Sequence, residues 1–213
     1  MLWVEAGSGD APASAQRRRD WETWQRDERV PALRAVQGVA HGVRFALAEG
    51  FELPGDAGGS HVTVLETAAP GDEVVAAKAA SETATAARGS ETITPYRRVS
   101  AYGETDGRRM GGVVAVLTDC SDPASEDAFN VWYEEHARYV IEELGHFTVT
   151  RYVNADPASD RARYLAIYET ESDDPGQVQR DGWKRYFEQE SPEEHATPET
   201  LVLRGEVALE PLD

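Results

Sequence analysis

The chain has 213 residues, 39 of them acidic and 21 basic, for a formal charge of −18. Its 40% hydrophobic and 28% charged residues describe a globular rather than a disordered protein, and so negative a surface repels phosphate backbones and anionic membranes, so neither nucleic acid nor membrane is an expected partner. The single cysteine, Cys120, excludes an internal disulfide framework and any cysteine-based zinc or iron–sulfur cage. No apolar run approaches the roughly 18 residues of a spanning helix, and the opening segment lacks the basic and apolar regions of a secretory signal. A cytoplasmic address is the expectation.

Leu2–Glu5 reads as a strand, and residues 20–36 as a helix carrying Trp21, Trp24, Leu33 and Val36, with Gly38 as its cap. Val43–Leu47 and His61–Leu65 follow as strands. The alanine-rich stretch from Asp72 to Arg88 is a second helix, and Ile93–Tyr102 a fourth strand in spite of Pro95. A glycine-rich, charged loop at 103–112 then separates two nearly equal halves. Residues 1–108 carry a net charge of −4 and residues 109–213 a net charge of −14.

The second half repeats the pattern. Gly112–Leu117 is a strand, and a helix runs from Ala128 to Leu144 with Phe129, Trp132, Tyr133, Val140 and Leu144 on one face, stopped by Gly145. Phe147–Val153 and Arg163–Tyr168 are strands, residues 177–189 a helix, and residues 200–209 the last strand. A shift of 107 residues superposes Gly38 on Gly145, Arg44 on Arg151 and Phe45 on Tyr152. The expected fold class is therefore α+β: two tandem β-α-β-β-α-β, ferredoxin-like repeats at 1–108 and 109–213. Their sheets would pack against each other within one chain as a pseudo-dimer, or two chains would pair as a homodimer.

The run Phe129-Asn-Val-Trp-Tyr-Glu-Glu-His136, with Gly145 and the pair Arg151-Tyr152, resembles the EthD-like group of dimeric α/β-barrel proteins. The first half carries a fainter version in Trp24, Val30-Pro31, Gly38 and Arg44-Phe45. His136 stands nine residues before Gly145, as that pattern has it, but four rather than five after Trp132, and no proline follows at Arg138. In the first half the frame and the proline are kept, and Arg29 occupies the histidine position. The resemblance implies a cofactor-independent enzyme acting on a hydrophobic aromatic or polyketide-like small molecule by dehydration, isomerisation or cyclisation. It also leaves open a cofactor-free monooxygenase on a phenol, and a protein that binds such a molecule without turning it over.

His136 is the candidate general acid–base, because imidazole exchanges protons near neutrality. A half-buried histidine bonded to a backbone carbonyl is the alternative. Tyr133 and Trp132 would hold a ring, with Tyr139, Tyr152, Tyr164 and Tyr168 as further aromatic walls or core residues. Arg151 would stabilise developing oxyanion charge, and Arg44 and Arg29 would contact ligand in the first half. Intramolecular ion pairs are the competing reading of these arginines. His41, His61, His136, His146 and His195 show no metal-ligand spacing, and Gly55–Gly59 matches no phosphate loop, so no metal or cofactor is expected.

Overall fold

A computed structural model describes residues 1–7, 15–53, 60–83, 90–188 and 197–212. Gly55–Gly59, His195 and the stretch of the second helix beyond Thr83 lie outside them. The strands are β1 (Leu2–Gly7), β2 (Val39–Leu47), β3 (His61–Thr67), β4 (Ser90–Gly103), β5 (Gly112–Cys120), β6 (Thr148–Asn154), β7 (Tyr164–Thr170) and β8 (Leu201–Pro211). The helices are α1 (Ala15–Trp24), α2 (Val30–Arg34), α3 (Glu73–Glu82), α4 (Glu126–Glu143) and α5 (Pro175–Glu188). No described helix is long and apolar enough to cross a membrane.

All strand pairs are antiparallel, and the order β1-β3-β2-β8-β5-β7-β6-β4 closes into a barrel. The two four-stranded sheets expected from the sequence thus meet at their edges. One seam, β4–β6, runs from Tyr96 opposite Asn154 to Gly103 opposite Thr148. The other, β2–β8, has three paired positions, Phe45 with Pro211, Ala46 with Glu210 and Leu47 with Leu209. Because side chains alternate across a strand, one face of every strand fills the lumen, where Trp3, Phe45, Val62, Tyr96, Leu117, Leu165 and Val207 form the central core. The opposite faces carry the helices.

Over the first half, Ala76, Ala77 and Ala80 let α3 lie close on Leu2, Val4 and Leu65. Over the second half, α4 buries Phe129, Tyr133, Ala137 and Val140 at spacings of four, four and three; of the stripe read from the sequence, Leu144 is buried as well, Trp132 is only half-buried, and Ala137 is an addition. Gly145, at φ 86°, ends that helix in a conformation other residues resist. Pro95 is tolerated because Tyr96, its neighbour, makes the bond to Met1, while the missing Pro95 donor faces Ala155, one step past the end of β6.

The expected first helix is interrupted. Between α1 and α2 the residues Gln25–Arg29 form a π turn, and the Val30 N–H bonds the Gln25 carbonyl five residues back. Pro31, which has no N–H to give, follows immediately, and the widened turn accommodates it without ending the helix.

Candidate active site

The outer face of the second sheet and the two helices above it do not meet everywhere. Between them lies a cavity of about 100 Å³. Val116 and Thr118 of β5, Tyr168 of β7, and Leu201 and Leu203 of β8 form its floor. Trp132, Tyr133, His136, Val140 and Leu144 of α4 form one wall, Gln179, Gly182, Trp183 and Tyr186 of α5 the other, and His146 and Thr197 complete it. On the α5 side the Trp183 and Tyr186 rings stand 5.8 Å apart and nearly perpendicular to each other.

His136 lies flat on Trp132, with ring centroids 4.7 Å apart and planes 15° apart, and edge-on to Tyr133 and Tyr186 at 5.9 and 6.0 Å. Beneath it the Tyr168 hydroxyl donates to the Tyr133 hydroxyl at 3.3 Å. Burial raises the pKa of both phenols, that of Tyr168 well above its ordinary value. At the mouth one oxygen of Glu206 accepts from Gln179 Nε2 at 2.9 Å and from Trp183 Nε1 at 2.7 Å.

His146 was not singled out by the sequence, yet it borders this cavity and, on its other side, a surface groove lined by Arg108, Phe147 and Glu171. Its only sequence signal is its place between Gly145 and Phe147. The ring is buried, 5.5 Å from Tyr168, and donates to the Glu169 backbone carbonyl. Burial pushes it down to about 4 against that bond's upward pull. In the unfolded chain a histidine titrates near 6.5, so the unfolded state binds the extra proton between about pH 6.5 and 4. Stability is complete above that window and falls as pH drops through it, by about 3 kcal/mol at its lower end. Denaturant unfolding at pH 7 and pH 4.5 should show this loss, and His146→Gln should show less of it. An equal loss in both proteins would assign it to other groups.

Of the predicted site residues, the structure brings together His136, Tyr133, Trp132 and Tyr168. Arg151 is placed behind them. Its guanidinium is buried, ion-paired with Glu134, donates to Asn130 Oδ1 at 2.9 Å, and stacks over the Tyr133 ring at 4.2 Å. It holds Tyr133 rather than facing the void. Tyr164 bonds Glu126 and accepts from Asn130 at 3.2 Å, away from the cavity. Tyr139 stands outside, 6.2 Å from Tyr186. Tyr152 points the other way, packs against the lumen core, and is pushed up to about 12 by burial.

Neither first-half arginine reaches the cavity. Arg29 is ion-paired with Glu91, and donates to Thr83 Oγ1 at 2.7 Å and the Ala80 carbonyl at 3.2 Å. Arg44 is buried in β2 opposite Thr63, and after burial itself it is the second influence lowering His61 to about 4. Among the described residues no three histidine, cysteine or carboxylate side chains converge as metal ligands.

No family model matches the chain, and no curated protein matches it. Solved structures do. A DypB variant from Rhodococcus jostii RHA1 in complex with heme aligns with TM-score 0.61 at 11% identity, over 99% of this chain and 92% of that one. An anthrone oxidase-like protein aligns at 0.57 and 8%, over 100% and 91%. A candidate monooxygenase from Fusobacterium nucleatum aligns at 0.55 and 12%, over 100% and 92%. At such identities the likeness is one of fold, and the fold is that of the ferredoxin-like dimeric α/β-barrel proteins.

Proposed function

We propose that the chain is an enzyme that removes a proton from a small hydrophobic ring compound bound beside His136. The observation that carries this is the His136 imidazole stacked on Trp132 in the wall of a largely apolar, aromatic-lined cavity. Trp132 and Tyr133 hold the ring and Arg151 holds Tyr133. His136 takes the proton from a phenolic hydroxyl or a carbon beside a carbonyl, leaving a phenolate or enolate. Protonation at another carbon would then complete an isomerisation, and loss of hydroxide a dehydration.

A second reading is favoured by the structural likeness to an anthrone oxidase-like protein and a candidate monooxygenase. There the same anion reacts with dioxygen, one oxygen atom becoming a ring carbonyl and the other leaving as water. Oxygen uptake during turnover separates the two. The residues as placed do not fit a haem like that of the DypB variant: pockets for drug-sized ligands already measure about 300–1,000 Å³, against a cavity of about 100 Å³. At about 100 Å³ the cavity is smaller than the roughly 150 Å³ engineered cavity that binds benzene, so a single ring is the largest aromatic it can take, and it must widen to take one. The polyketide-like substrates expected from the sequence would need it to open much further.

We also read residues 1–108 and 109–213 as EthD-like ferredoxin repeats of one duplicated unit, closing as a pseudo-dimer. The repeated strand order supports this.

The test is a melting shift with phenol, cresols and benzaldehydes. A ligand at about 100 times its Kd stabilises by about 2.7 kcal/mol, and about 2–4 °C per kcal/mol is expected for a chain of this size. A shift weakened by His136→Ala is the expected result. A shift indifferent to that change would move the ligand elsewhere.

A further inference from the structure

On the cavity's side chains, Trp132 Nε1, Thr118 Oγ1 and His146 Nδ1 are buried with no hydrogen-bond partner among the described residues. Thr118 and His146 are both more than nine-tenths buried. Buried polar groups in folded proteins are nearly always paired, because an orphan costs the full desolvation of that group. These orphans around one void therefore call for a common cause, and a ligand that supplies the partners is the simplest.

The chemistry of the three atoms is not interchangeable. An indole Nε1–H only donates, so Trp132 requires an acceptor. We assign the His146 proton to Nε2, which makes the partnerless Nδ1 a lone pair that requires a donor. The Thr118 hydroxyl takes either part. Most of the remaining wall is apolar and aromatic, and the void, at about 100 Å³, takes no more than one ring, and that with some widening.

Resting on the reading of this cavity as the substrate pocket, we propose that Trp132, Thr118 and His146 determine specificity, and that they select a single-ring aromatic bearing both a hydroxyl and a carbonyl. The carbonyl accepts from Trp132 and the hydroxyl donates to His146. A site built to pair such groups discriminates against analogues lacking them, since its own atoms are then left unpaired.

Four probes of one shape test this by calorimetric titration: 3-hydroxybenzaldehyde, 3-methylphenol, 3-methylbenzaldehyde and m-xylene. The hydroxyaldehyde should bind tightest, about tenfold better than either singly substituted probe, with m-xylene weakest. Trp132→Phe should remove the preference for the aldehyde and keep that for the phenol, and His146→Leu should do the reverse. Thr118→Val, nearly isosteric, checks the third atom without enlarging the void. Equal affinity for all four probes, or a Trp132→Phe protein that keeps its preference for the aldehyde, would overturn the assignment while leaving an apolar pocket in place. If no probe binds, m-xylene included, the pocket reading itself falls and this inference with it.

Discussion

Arg29→Ala should cost about 3–5 kcal/mol of folding stability, the range for removing one partner of a buried ion pair. The side chain is 2% exposed and that of its partner Glu91 only 12%. It ties three elements together: the π turn that carries it, the end of α3 through Thr83 and Ala80, and β4 through Glu91. Truncation strands the Glu91 carboxylate, while the Ala80 carbonyl keeps the Thr83 hydroxyl, which donates to it at 2.7 Å. Replacing both ends by apolar residues, Arg29→Met with Glu91→Leu, should recover much of the loss, because the pair's own attraction is largely offset by desolvation. Urea unfolding of the three proteins decides it. If Arg29→Ala unfolds within about 1 kcal/mol of wild type, the side chain is not a structural tie, and a ligand role for the first half reopens.

His136→Gln should lower kcat/KM by about 10²–10⁴-fold on whichever ring compound the enzyme turns over, the usual contribution of a general acid–base group. Glutamine keeps the side chain's length and hydrogen-bonding capacity and removes its basicity. Ligand affinity should change little, so the loss should sit in kcat. Activity within a fewfold of wild type would take the proton transfer away from His136. A rise in KM with kcat intact would make the residue a wall of the pocket only.

Much of this protein was legible in its sequence, because most of its elements announce themselves locally. The stripe Phe129, Trp132, Tyr133 and Val140 placed α4 against the sheet and His136 beside aromatic rings, and that is where they lie. What depends on distant partners was not legible. Arg29 and Glu91 are 62 residues apart, and nothing near either names the other. Arg151 and Glu134 meet only because β6 runs beneath α4. The π turn escaped notice because its cause, Pro31, reads equally well as the first turn of a new helix. His146 escaped because no periodicity includes a loop residue; its meaning lies in what it borders.

β5 shows how these pieces stay independent. Val113, Ala115 and Leu117 belong to the lumen core, while Val114, Val116 and Thr118 look outward, two of them into the cavity. One strand therefore answers to two masters at alternate positions. The ligand-facing letters can be rewritten while the barrel-facing letters stand, so new substrate preferences on this scaffold need not be purchased with barrel closure.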